Sequence, residues 1–337
     1  MSSNADIARA AGVSPAIVSR IVNGDKTLRV SKETRERVLR LIEEMDYAPN
    51  VAARNLKSAK TGVIALVVHD LTNSIYAEII AGAHQAAMGF GKTILVGEAN
   101  SDAFGRSHLE TLVAGRGVDG LILQGADTRL DKTLARAARN NVPTVFLQSG
   151  DPDKAMIIHL DDVEAGRMAT THLTDLGHRR IGFIGVDDRL QFSKGRKTGW
   201  EQGLRAAGIA PDTGWDTIGG NQFDEGAEAI SRLLGKTPDL SAVVVSSFVG
   251  AIGVLAKLQD SGKTVPHDFS VIAIHDTPLA DYLRPALTVI RMPLRALGIR
   301  AVEEICAATP ARSGMVVVDQ IAPQIILRSS TAAPKAR

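Results

Sequence analysis

Apolar residues change their spacing once along the chain, and the change separates two kinds of structure. Through the first 47 residues they recur at helical intervals. Ser3, with Asp6 three residues on, forms a capping-box pattern ahead of Ile7-Ala8-Arg9-Ala10-Ala11. Gly12-Val13 ends that run. Ser14-Pro15 opens a second helix, because serine caps an N-terminus and proline suits the first helical position. Its apolar members are Ile17, Val18, Ile21 and Val22, and Asn23-Gly24-Asp25 stops it. A third helix starts near Lys32 and sets Val38, Leu39, Leu41, Ile42 and Met45 on one side. Two helices joined by a tight glycine turn are the parts of a helix-turn-helix, and the third supplies apolar surface to close a small core. Val51 to Lys57 reads as a short helix, and Ser58 to Gly62 as a linker.

From Val63 onward, apolar runs of strand length alternate with helical stretches. Strands are expected at Val63–Val68, Thr93–Val96, Gly120–Leu123, Thr144–Leu147, Met156–Leu160, Ile181–Ile184, Ala242–Val245 and Val271–Ile274. The intervening helices fall near Ile75–Gly91, His108–Ala114, Leu130–Asn140, Ala165–Leu176, Arg196–Ala207, Glu225–Leu234 and Ala251–Gln259. Continuously apolar strands between helices mean parallel sheets covered on both faces. The array is too large for one sheet of ordinary width, so the body reads as two doubly wound lobes behind an all-helical headpiece. Ligands of open parallel sheets sit beyond the carboxyl ends of the strands. Polar residues mark those ends: His69-Asp70, Gln124, Gln148, Ser246-Ser247 and His275-Asp276.

Composition sharpens this picture in two places. The chain has 337 residues and a net charge of +2, but the charge is uneven: residues 1–60 carry 11 Lys/Arg and 7 Asp/Glu, and the remainder is slightly acidic. A basic module on a neutral body points to a polyanionic partner for the headpiece. The single cysteine, Cys306, lies in an apolar run; it excludes an internal disulfide and a thiolate metal site, and a reducing cytoplasm is expected. No secretory signal is visible at the N-terminus, and no apolar run is long enough to span a membrane. Gly115-Arg116-Gly117-Val118-Asp119-Gly120 has the G-x-G-x-x-G spacing, but a helix precedes it and a strand follows, the reverse of a dinucleotide site. With no phosphate loop, nucleophile elbow or metal motif, the reading is neither an enzyme nor a cofactor protein.

Asp6-Ile7-Ala8, then Ala11-Gly12-Val13-Ser14-Pro15-Ala16-Ile17-Val18-Ser19-Arg20-Ile21-Val22-Asn23, is similar to the headpiece of the lactose-repressor (LacI/GalR) family. Val30 to Val38 resembles its third helix, and Tyr47-Ala48-Pro49-Asn50-Val51-Ala52-Ala53-Arg54-Asn55-Leu56 resembles its hinge, with Asp46 where the family has glycine. In the body, Leu176-Gly177-His178-Arg179-Arg180-Ile181 and Pro285-Ala286-Leu287-Thr288 also match. The resemblance implies a repressor that grips double-stranded operator DNA as a homodimer and is controlled by a small molecule held in a body like periplasmic sugar-binding proteins. A solute-binding receptor is the alternative for the body taken alone. The second helix would enter the major groove, with Pro15, Ala16 and Ile17 offering apolar contacts and Arg20 a donor for guanine. Ser14, Ser19 and Asn23 suit phosphates. Asn50, Ala53 and Leu56 would belong to a hinge helix whose leucine wedges into the minor groove.

The resemblance also places an effector site. Asp70-Leu71-Thr72-Asn73-Ser74-Ile75-Tyr76 resembles a family segment with Ser74 in place of proline, and Arg196 is implied as a ligand contact. Gln124, Gln148 and Phe223 fall at further pocket positions. The asparagine and aspartate that commonly hold sugar hydroxyls stand here as Ser247 and His275. A carboxylate lost beside an arginine retained leaves the pocket less negative, and histidine carries a proton when an anion is near. An acidic effector such as a sugar acid or small carboxylate therefore stands beside a neutral carbohydrate as an expectation. The expected organisation is a headpiece at 1–48 and a hinge and linker at 49–61. The effector and dimerisation body takes 62–330: lobe one spans 62–160 and 291–322, and lobe two spans 161–290 and 323–330. A disordered tail is expected at 331–337.

Overall fold

The computed structural model describes residues 3–22, 24–25, 27–47, 60–99, 110–115, 117–124, 133–136, 142–307, 309 and 313–335. The chain divides into two compact units, Met1–Thr61 and Gly62–Arg337.

In the first unit α1 (Asn4–Ala11), α2 (Pro15–Val22) and α3 (Lys32–Glu44) enclose Ile7, Ala8, Ala11, Val18, Ile21 and Val38. The capping box forms as its residues require: Ser3 Oγ accepts from the Asp6 amide at 3.2 Å, and Asp6 Oδ2 accepts from the Ser3 amide at 3.0 Å. Gly12 ends α1 in the left-handed conformation, at φ +64°. Ser14 Oγ faces the Ile17 amide at 3.4 Å and starts α2. On α3 only Val38 is fully buried, while Leu39 is 46% exposed and does not share the inner face expected of it.

The second unit contains two six-stranded sheets. The first has the order β11-β5-β4-β3-β1-β2 and is parallel throughout; its strands are β1 (Val63–Val68), β2 (Thr93–Glu98), β3 (Gly120–Gln124), β4 (Thr144–Leu147), β5 (Met156–His159) and β11 (Gly314–Val317). The second has the order β12-β10-β9-β8-β6-β7; its strands are β6 (Ile181–Gly185), β7 (Asp216–Ile218), β8 (Ala242–Val245), β9 (Ser270–Ile274), β10 (Thr288–Arg291) and β12 (Gln324–Ile326). Only β12 runs antiparallel, on β10. Register is set with Ile64 opposite Gly120 in the first sheet and Ile181 opposite Ala242 in the second. Strands β3, β6, β8 and β9 are buried over their whole length, which explains their unbroken apolar runs. The edge strands β7 and β11 are half exposed and lack such runs, so the pattern of apolar residues passed over them.

Six long helices cover the sheets: α4 (Ile75–Gly89), α5 (Asp162–Asp175), α6 (Gln191–Ala206), α7 (Phe223–Lys236), α8 (Phe248–Asp260) and α9 (Leu294–Cys306). Residues 110–114 and 133–136 are also helical. Helices α5 to α8 begin two to five residues earlier than apolar spacing implied. Polar caps right after the strands extend two of them: Asp161 caps α5 through the Glu164 amide, and Ser247 caps α8 through the Gly250 amide. The chain crosses between the sheets after β5, after β10 and after β11.

The expectation of disorder from residue 331 is corrected over Thr331–Lys335. Thr331 Oγ1 lies 2.9 Å from His172 Nε2, the Ala332 carbonyl accepts from His178 Nε2 at 2.8 Å, and Lys335 pairs with Asp268. Small residues without an apolar face gave no sign of this, because the strap is held by polar contacts.

Candidate functional site

The outer face of α2 carries the first candidate site. Val18 and Ile21 point into the headpiece core, so Ser14, Pro15, Ala16 and Arg20 are exposed, with Ile17 and Ser19 half-buried between. Arg20 is held rather than loose: its Nε donates to Asp25 Oδ2 at 2.6 Å and an Nη donates to Thr27 Oγ1 at 3.1 Å. Thr27 also donates to Asp25 from its amide and hydroxyl. These bonds, Thr27's first and Arg20's next, hold the Asp25 carboxyl down at about 2. The clamp was not visible in the sequence, since Asp25 read only as part of a turn. Asn23, Asn50, Ala53 and Leu56 lie outside the described residues.

The second candidate site is built where strand ends from both lobes converge. Ser149, just after β4, accepts from the Gln191 amide at the start of α6 at 3.1 Å. Asp70, just after β1, is hydrogen-bonded by the side chain of Gln222 ahead of α7. Both contacts join a residue following a strand of one sheet to a residue following a strand of the other, so the carboxyl ends of the sheets face each other. Two residues at these ends, Gln148 after β4 and His275 after β9, have left-handed backbones at φ +70° and +80°. Such conformations are costly for non-glycine residues and gather at functional positions.

Arg196, in the second turn of α6, organises the lobe-two side. It is 1% exposed. Its Nε donates to Asp162 Oδ1 at 2.8 Å, one Nη to the Ser246 carbonyl at 2.6 Å, and the other to His275 Nε2 at 2.9 Å. The Phe192 ring lies against the guanidinium at 4.9 Å. Its charge is thus met by a buried carboxylate that the sequence reading did not pair with it. Burial, the larger influence, raises the Asp162 carboxyl, and Arg196 opposes the rise. A guanidinium only donates, so His275 Nε2 must accept and its proton sits on Nδ1. Burial and the neighbouring Arg196 push the His275 imidazole well below its ordinary value. Without an anion beside it, the imidazole is thus held toward its neutral form.

Other expected contacts are distributed differently. Asp70 Oδ1 accepts from the amide and hydroxyl of Thr72, which together with Gln222 lower its carboxyl. Tyr76 is buried in the first turn of α4 and belongs to the core. Gln148 Oε1 accepts from the Leu160 amide at 3.0 Å and ties β4 to β5. Phe223 opens α7 and is 51% exposed. Ser247 Oγ is consumed as a helix cap and donates to the Gly220 carbonyl. Its neighbour Ser246 is fully buried with an unpartnered hydroxyl.

Six buried polar side-chain atoms lack a hydrogen-bond partner among the described residues, and four stand at strand ends: Gln124 Oε1 (β3), His159 Nε2 (β5), Ser246 Oγ (β8) and His275 Nδ1 (β9). Leaving such groups unpaired is costly, so their recurrence at the carboxyl ends of both sheets makes these strand ends the candidate site. His159 and Asp162 were missed by sequence reasoning, whereas Ser246 was among the polar residues expected at the strand ends. His159 ends an apolar run, and its role appears only once β5 is placed beside β4. Ahead of β3, residues 110–114 are helical, the order that the glycine-rich stretch between them implied. Among the described residues no cluster of three metal-binding side chains occurs, and no helix is long and apolar enough to cross a membrane.

Comparison with known proteins gives the same two-part division. The family described as bacterial regulatory proteins, lacI family, matches residues 5–50, and a periplasmic binding protein-like domain matches residues 170–331. The chain is 33% identical over 305 residues to the ribose operon repressor of Haemophilus influenzae, covering 90% of each. It is 31% identical over 298 residues to the HTH-type transcriptional repressor CytR of Escherichia coli K12, covering 88% of this chain and 86% of that one. Among solved structures, the lac repressor dimer bound to operator and the anti-inducer ONPF superposes with a TM-score of 0.81 at 26% identity, covering 98% of this chain and 99% of that one. The transcriptional regulator CelR–cellobiose complex gives 0.71 at 28% identity, covering 98% and 100%.

Proposed function

The chain belongs to the lacI family of bacterial regulatory proteins, and from that premise we propose how this DNA-binding transcription regulator reads its operator and senses its effector. It is a regulator and not an enzyme. Two copies present their α2 helices to successive half-sites of a pseudo-palindromic operator, since one short helix contacts too few bases for selectivity. Pro15, Ala16 and Ile17 make apolar contacts to base edges, Arg20 donates to a guanine, and Ser14, Ser19 and Asn23 meet phosphates. Asn50, Ala53 and Leu56 form the hinge contact in the minor groove. The protein works in the cytoplasm, as a repressor.

The effector, a carbohydrate or a small carboxylate, sits between the lobes. The observation that carries this reading is the set of four unpartnered polar atoms at strand ends of both sheets, two from each. A ligand bridging them favours one relative arrangement of the lobes, and that difference in affinity is what biases DNA binding. Selection of bound fragments from genomic DNA by the full-length protein, followed by binding measurements with and without candidate metabolites, tests both halves. A shared palindromic motif whose affinity falls steeply with salt is expected. Failure to prefer any oligonucleotide over scrambled competitor sinks the reading.

A further inference from the structure

At the amino ends of the lobe-one strands, away from the cleft, a carboxylate holds the first residue of the body. Asp119 stands just before β3, Lys92 just before β2 and Gly62 just before β1. The three strands are parallel neighbours, so these residues meet at one edge of the sheet. Strand β1 is six residues long, which puts that edge roughly 17 Å from the strand ends at the cleft. Asp119 Oδ2 accepts from the Gly62 amide at 2.9 Å and from Lys92 Nζ at 2.6 Å, and the two side chains are only 12% and 19% exposed. The Gly62 carbonyl accepts from the Thr93 amide at 2.8 Å. Gly62 is thus held on both sides, by a side chain 57 residues away and by the start of β2. Its backbone is left-handed, at φ +76°.

Gly62 is where the body begins, because the division between the two compact units falls after Thr61. We infer that Asp119 is a positioning residue for operator recognition: by holding the Gly62 amide it fixes the point and direction at which the chain leaves lobe one for the DNA-binding unit, and so sets the half-site spacing that the dimer accepts. This rests on the reading of the protein as a dimeric operator binder. Each DNA-binding unit reaches its half-site through one joining segment, so freedom at the base of that segment becomes freedom in half-site distance. One extra base pair shifts a half-site by about 3.4 Å and turns it by about 35°. A fixed base resists both changes. A loose base tolerates them, and it loses more entropy when the correct site is bound. Lys92 has a supporting part, since its ammonium offsets the cost of burying the carboxylate.

The test uses the full-length protein and the palindromic operator obtained by fragment selection, with copies in which one central base pair is inserted or removed. Anisotropy titrations read the ratio of affinities for the correct and the altered spacings. Such a ratio is blind to the fraction of folded protein, so a variant that is merely destabilised leaves it unchanged. Asp119→Ala should bind the correct operator roughly three- to tenfold more weakly and lose most of the spacing preference. Asp119→Asn keeps a side-chain oxygen for the Gly62 amide and should retain the preference. An unchanged ratio in Asp119→Ala overturns the inference, and so does an equal loss in both variants.

Gly62→Val supplies a second arm. It leaves Asp119 and Lys92 in place, but a β-branched residue disfavours the left-handed backbone and so redirects the chain. The same loss of spacing preference is expected, and a ratio like that of the unaltered protein overturns the inference. Should Asp119→Ala fail to fold, hydrogen exchange in the unaltered protein decides. The Gly62 amide should exchange at least roughly tenfold more slowly than that of an unstructured glycine; free exchange means that no anchor exists. Spacing preference in the unaltered protein, with no effect of Asp119→Ala, would leave the regulator reading standing without this inference. An unaltered protein that prefers no duplex over scrambled DNA would bring down both.

Discussion

Arg20 shows how much a single side chain depends on its neighbours. On the exposed face of α2 it would otherwise sample many rotamers, and ordering it on DNA would cost entropy. Asp25 and Thr27 hold the Nε edge and one Nη, so the guanidinium is already ordered for the DNA contact proposed for it. Replacing Arg20 by Ala should cost ~1–3 kcal/mol of operator affinity and blur one operator position; anisotropy competition with single-position operator variants reads both. Asp25→Asn keeps the size of the side chain but removes the charge that steadies Arg20. Its expected signature is a lower ratio of specific to non-specific affinity, whereas an unchanged ratio would make the clamp irrelevant to recognition. Because the Asp25 carboxyl lies at about 2, the clamp is fully charged across any working pH and is lost only in strong acid.

At the scale of elements, close packing of paired helices sets the positions of the cleft side chains. Helices α4 and α9, α5 and α6, and α7 and α8 approach through glycines. A Cβ on Gly82 would stand 2.0 Å from the Arg295 carbonyl, one on Gly199 1.9 Å from the Val163 carbonyl, and one on Gly253 1.8 Å from the Phe223 carbonyl. Gly166 matters most for function, because its Cβ would strike the carbonyl of Arg196 itself at 2.1 Å. Backbone cannot rotate out of the way as a side chain can, so the helices must separate. Gly199→Ala is expected to lower stability by about 1–3 kcal/mol or more, measured by urea denaturation. Gly235, near the end of α7, has nothing within 4 Å of its would-be Cβ. Gly235→Ala should be neutral or add up to about 1 kcal/mol, by restricting the unfolded chain. Opposite signs for the two substitutions would separate close approach from helix propensity; matching signs would contradict this account.

For the whole molecule, the strap at Thr331–Lys335 ties the end of the chain to lobe two. His178 Nδ1 meets Ser241 Oγ at 2.8 Å while its Nε2 reaches the Ala332 carbonyl, and Ser270 Oγ also donates to that carbonyl at 3.1 Å. A chain ending at Ser330 loses the two hydrogen bonds to the Ala332 carbonyl and should melt about 3–6 °C lower, at roughly 1 kcal/mol per lost buried bond; an unchanged Tm in a scanning measurement would mean the strap adds nothing. Acid should weaken lobe two as well. Burial lowers the imidazoles of His172, His178 and His275. The unfolded chain therefore takes up protons near the ordinary value of about 6.5 while the folded chain does not. Stability is full above that value and declines as pH falls below it. Urea midpoints at neutral and mildly acidic pH should show the fall, and a flat profile would contradict the burial of these rings.

Local chemistry in the sequence was enough to determine the parts. Capping residues, a glycine turn and apolar spacing specify the headpiece helices, and unbroken apolar runs specify the central parallel strands, because each signal acts over a few neighbouring residues. Edge strands such as Gly314–Val317 escaped, since one exposed face breaks the run. Pairing was decided only by tertiary structure. Ser247 carries a hydroxyl suited to a ligand, yet its place after β8 makes it a cap. His159 closes β5 in an unremarkable run, yet its buried Nε2 stands out as unpartnered only once the strands are placed. Asp162, Arg196 and His275 are separated by 34 and 79 residues in the chain and meet in one buried network. Hydrogen-bond direction is a property of such meetings, and no residue carries it alone.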